Sequence, residues 1–152
     1  MKNLKIQDIR TMLIRQNEHC SHAWPTDTDR YLELETPLAV NTWTDWAIIT
    51  DNLDNKLSDL ALTQDMFLES AIVEDVSTKD VVIMGQISYG ADKFLIAEQR
   101  YIAGDNQVGT VQTAPFASPR VPHGEEIYAR AKSSAPSVTV RVSLRYYHDE
   151  TQ

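Results

Sequence analysis

The chain has 152 residues, 42% of them hydrophobic and 24% charged, which is enough for one domain with a self-sufficient core. Its net charge of −8 argues against a nucleic-acid ligand for the main domain. Apolar runs reach only four or five residues, far short of the roughly 20 a membrane-spanning helix needs, so no membrane partner is expected.

The N-terminal stretch is basic and lacks the apolar core of a secretory signal. Residues 1–28 read as an arm, either extended or a short helix. Ile6, Ile9 and Leu13 are spaced for one or two helical turns, and no periodicity continues beyond them. Lys2, Lys5, Arg10 and Arg15 outweigh Asp8 and Glu18, whereas residues 26–80 carry 13 acidic residues against Arg30, Lys56 and Lys79. With Trp24, the basic and apolar arm residues form the candidate partner-binding set: Lys2, Lys5, Ile6, Ile9, Arg10, Leu13, Arg15 and Trp24. The single cysteine, Cys20, leaves no internal disulfide and fits synthesis in a reducing compartment. It lies between His19 and Ser21-His22, but a zinc centre needs four ligands in paired clusters, so no metal is expected there.

From residue 29 to 152 the signals are β. Arg30 to Glu35 alternates until Pro37, and Trp43 to Thr50 is rich in aromatic and β-branched residues. Trp43 and Trp46 are three apart, which on a regular strand puts them on opposite faces. Asp27-Thr28-Asp29 and the acidic stretch from Asp51 to Asn55 have the oxygen ligands of a calcium loop but not its register or glycine, so turn-forming Asp and Asn explain them. Asn55 to Met66 is the one competing helical segment. Strands then follow at residues 66–76, 81–88, 94–102 and 108–113.

The last third reads as a hairpin. A strand over 126–132 and a strand over 138–147 are joined by Ser133-Ser134-Ala135-Pro136-Ser137. Val138, Val140, Val142, Leu144 and Tyr146 alternate with polar residues, placing one apolar face on the core. In such a hairpin Arg130 would oppose Arg141 or Arg145, and carboxylates would be needed nearby. About eight short strands without intervening helices predict an all-β fold, a jelly-roll-like antiparallel β-sandwich behind the arm. The chain has no Gly-x-Ser-x-Gly elbow and no phosphate-cradling glycine loop. No enzyme, cofactor or metal is expected.

Three segments resemble tailed-bacteriophage virion proteins with jelly-roll-like sandwiches. They are Asn41-Thr42-Trp43-Thr44-Asp45-Trp46, then Met66-Phe67-Leu68-Glu69-Ser70-Ala71, and residues 119–134. The third has Val121-Pro122-His123-Gly124, Ile127, Ala129-Arg130 and Ser133-Ser134 at the family's spacing; the first has Trp43 or Thr44 where a glycine is usual. The resemblance covers about residues 40–147. It implies a virion structural protein, most simply a capsid decoration or cement protein acting as an oligomer, a trimer in the simplest case. Its partners would be the major capsid protein or other virion proteins, after synthesis in the host cytoplasm. A neck, tail or fibre-base part is the alternative within that class. From another class, the three tryptophans and six tyrosines suggest a carbohydrate-binding or hydrolytic sandwich.

Overall fold

The computed structural model describes residues 21–104, 112–115 and 117–148. Among these described residues nine strands follow in chain order: β1 (His22–Trp24), β2 (Leu32–Glu35), β3 (Ala47–Ile48), β4 (Met66–Val76), β5 (Val81–Tyr89), β6 (Phe94–Ala103), β7 (Gln112–Pro115), β8 (Ile127–Ser133) and β9 (Thr139–His148). A single 3₁₀ turn, Leu57–Ala61, replaces the competing helix. The described part of the chain is therefore all-β, as its alternation predicts.

Two antiparallel sheets pack face to face. The first has the order β1-β9-β4-β7, with β2 also on β9; the second runs β3-β8-β5-β6. In β9, Val140, Val142, Leu144 and Tyr146 point inward and in β8 so do Ile127, Ala129 and Ala131. Leu68, Ala71 and Val73 of β4 and Val81 and Ile83 of β5 complete the centre of the core.

The expected hairpin of the last third is not one. β8 lies in the second sheet and β9 in the first, so residues 134–138 cross between layers. Buried Thr36 holds this crossing: its amide donates to the Val138 carbonyl, its hydroxyl accepts from the Val138 amide at 2.9 Å, and it meets the Ser133 hydroxyl at 2.9 Å. Alternation reports which face of a strand is buried; strands facing each other across a core alternate just as paired strands do. Hence Arg130 does not oppose Arg141 or Arg145. Its partner across β5 is Gln86, while Arg141 meets Glu33 at 2.9 Å.

The Val121-Pro122-His123-Gly124 segment locks the start of β4 to the 3₁₀ turn. Val121, fully buried, exchanges both backbone hydrogen bonds with Met66. The Gly124 amide donates to the Ala61 carbonyl at 2.7 Å from a left-handed conformation with φ of 80°, where glycine is favoured. Buried Asp65 accepts from the His123 amide at 2.8 Å and contacts its ring Nδ1 at 2.7 Å. At the other end of that turn, Glu126 accepts from Lys56 at 2.8 Å and from the Ser58 hydroxyl at 3.2 Å.

Candidate interaction surface

Seven of the eight arm residues singled out by charge and apolar spacing, Lys2 through Arg15, lie outside the described residues. The eighth, Trp24, departs from the expectation of a side chain offered to a partner. β1 pairs antiparallel with β9, Trp24 opposite Leu144, and the indole is 3% exposed within the sandwich's own core. The C-terminal end of the expected arm is thus part of the first sheet. His19 and Cys20 also lie outside the described residues; His22 is exposed and its ring stands 5.6 Å from that of Tyr146.

The two acidic stretches meet at Arg30. Its guanidinium reaches Asp51 at 3.3 Å, Asp27 at 3.6 Å and Asp29 at 4.0 Å. Asp51 also accepts from the amides of Leu53 and Asn55 and from the Asn55 side chain. Burial pushes this carboxyl upward, but the hydrogen bonds from Asn55, Leu53 and Arg30 outweigh it and hold Asp51 below the ordinary carboxylate value. Arginine occupies the place where a calcium ion would be sought, and Asx-type bonding shapes the turn.

A different cluster forms on the outer face of the second sheet. The segment before β3 tracks β8, but the pairing slips. The Thr44 amide bonds to the Ala131 carbonyl and Ala47 pairs with Ala129, so three residues of one chain segment span two of the other. Such an extra residue reverses the facing of everything that follows. Trp43 and Trp46 therefore do not face opposite ways: both flank Arg130, whose guanidinium carbon lies 4.8 Å from one indole centroid and 4.3 Å from the other. Arg130 Nε donates to Gln86 Oε1 at 2.7 Å, and Gln86 in turn donates to Glu98. Lys132 stands 4.8 Å from the Trp43 ring. Cation–π contacts at such half-exposed sites contribute about 0.5–1 kcal/mol each.

Register fixes the rest of this face. Across β8, β5 and β6 one row reads Arg130, Gln86, Glu98 and the next reads Lys132, Met84, Arg100. Lys93 adds a further cation over Tyr128 at 3.9 Å. Elsewhere, arginines have carboxylates: Arg30 has its three aspartates, Arg120 has Asp65, Arg141 has Glu33 and Arg145 has Glu69. Arg100, Arg130 and Lys132 make no ion pair among the described residues. Glu98 is the carboxylate within these two rows, and exposed Asp45 sits between the tryptophans in sequence. By contrast, the outer face of the first sheet exposes Glu33, Glu35, Glu69, Glu74 and Asp75 around Arg141 and Arg145. The sandwich therefore has one acidic face and one basic, tryptophan-lined face.

No family model and no curated protein matches the chain. Among solved structures, it is similar to the Gx strain of infectious bursal disease virus at 12% identity and a TM-score of 0.39, over 87% of this chain and 33% of that one. Similarity to the Gt strain is at 16% identity and a TM-score of 0.39, over 84% and 31%. For the VP2 subviral particle of that virus the values are 14%, 0.39, 84% and 32%. The chain spans about a third of the length of these viral chains. So distant a likeness assigns no role, and the sandwich assignment rests on the two sheets themselves.

Proposed function

We propose that this chain is a structural component of a bacteriophage particle, most simply a decoration or cement protein that binds the capsid shell as an oligomer. The observation that carries the reading is the placement of the 119–134 motif. Its positions have structural tasks in this sandwich: Val121 bridges to β4, Gly124 turns left-handed, Ile127 and Ala129 enter the core. Ser133 meets Thr36 at the layer crossing, and the Ser134 hydroxyl accepts from the Val82 amide at 2.9 Å. That the named motif positions shape one fold supports the resemblance that first suggested a virion protein. The role is binding, not catalysis. The basic arm precedes β1 in the sequence; in this reading it binds a shell protein or a sister subunit and adds contacts to those of the folded domain.

One face of each of the two indoles, Trp43 and Trp46, is turned to the Arg130 guanidinium, which narrows the aromatic platform open to a sugar ring in the alternative reading.

An arm deletion tests the reading. It must stop at residue 20, because Trp24 is core. The shortened chain is expected to keep the circular dichroism spectrum of the full chain and to lose attachment to particles. Attachment at full-chain levels would refute an arm-driven cement role.

A further inference from the structure

The basic face of the second sheet has the geometry of a binding site, and the position of its cations specifies the ligand. Arg130 is packed against two indole rings and held at Nε by Gln86, and its terminal nitrogens have no hydrogen-bond partner among the described residues. A guanidinium fixed in this way has lost its rotamer freedom before any ligand arrives, so little more is lost on binding. Its planar terminal nitrogens match a carboxylate, and adjoining aromatic surface keeps water from the pair. Lys132 lies two residues further along β8 on the same face. Residues two apart on a strand are separated by about 6.6 Å, the same spacing as alternate side chains of any extended peptide.

We propose that this face binds an extended acidic segment of a partner protein whose carboxylates fall at alternate positions, one on Arg130 and the next on Lys132. Arg100 lies on the same face two strands over, across Met84 from Lys132, and adds to the positive field beside the segment. Nucleic acid fits poorly: a long polyanion feels the whole chain's net charge of −8, whereas a short segment lying on the face feels chiefly charges within a Debye length of about 8 Å. An acidic oligosaccharide has the carboxylate, but Arg130 already takes one face of each indole it would stack on. The inference stands on charge placement alone and is read by peptide binding, so it can fail while the particle reading holds, and the reverse.

The test is a titration of the full chain with a capped peptide carrying three glutamates alternating with glycine, followed by tryptophan fluorescence. Trp24 is buried, so Trp43 and Trp46 report the exposed face. Saturable binding is expected, at least fivefold tighter than for an isomeric peptide with its glutamates contiguous. Arg130→Gln and Lys132→Gln should each weaken it about tenfold, and 0.3 M salt should do the same. Arg130→Lys, which keeps the charge without the planar fork, should fall between wild type and Arg130→Gln, and thermal melts check that each variant is folded. Equal affinity in wild type and the folded Lys132→Gln variant, no preference between the isomers, or tighter binding of a uronate oligosaccharide of equal charge would each overturn the proposal.

Discussion

Gly85 lies in the middle of β5, a strand whose neighbouring inward positions are Ile83 and Ile87, and it lines a small apolar void of about 40 Å³ at the centre of the sandwich. The void exists because Ala71, Ala97, Ala129 and Ala131 also converge there, and sheets about 10 Å apart are not filled by methyl groups alone. A Cβ added at Gly85 would meet no atom within 4 Å, and its backbone is not left-handed. Gly85→Ala should therefore stabilise on two counts. Restricting the unfolded chain contributes about 0.4–1 kcal/mol. Burying one methyl in existing space adds about 0.8 kcal/mol. The sum, about 1–2 kcal/mol, corresponds to a rise in melting temperature of about 3–7 °C for a chain of this size. Calorimetry of both proteins measures it. Gly104→Ala is the matched control, since that position is equally open but exposed, and it should show only the backbone share. An unchanged or lowered melting temperature for Gly85→Ala would show that the centre of the sandwich is already closed, and the reasoning would fail.

Three further outcomes follow from the same structure. Ser88 is fully buried with its hydroxyl unpartnered among the described residues, so Ser88→Ala should stabilise by about 1 kcal/mol in urea denaturation; a loss of stability would mean the hydroxyl has a partner. Gly124 holds φ of 80° with open space around it, so Gly124→Ala should cost about 1–2 kcal/mol from conformation alone, and a neutral result would count against the left-handed turn. Asp51 titrates below its ordinary value of 3.8 in the folded chain, so its contribution is fully present above that pH and is lost as pH falls through the folded value. Acid unfolding curves should show Asp51→Asn to be less stable than wild type at neutral pH and closer to it at pH 3; parallel curves would refute that assignment.

Particular residues show where sequence reading works and where it stops. The strand bounds of β4 and β6 lie within a residue of the runs read at 66–76 and 94–102, because long apolar runs bounded by turn residues leave little choice. Partner choice was not legible. Val140 and Ala129 both point to the core, and nothing in their alternation says that they face each other from different sheets. β3 came out as two residues in place of the eight read at 43–50. The cause is the slip beside Thr44, set by tertiary pairing with β8. That slip also hid the Arg130 site, which gathers Trp43, Trp46, Gln86 and Arg130 from three distant segments. The available signal was the pair of cations at alternate positions of one strand, Arg130 and Lys132, in an otherwise acidic chain. The strand read at 108–113 is described only from Gln112 onward.

The central claim is that the chain is a part of a phage particle, and the most direct measurement is its copy number in particles purified from the culture that produces it. Quantitative mass spectrometry against the major shell protein is predicted to find hundreds of copies per particle. About a dozen copies would contradict the cement role and assign the chain to the neck or tail, and its absence from the particles would contradict the virion reading altogether.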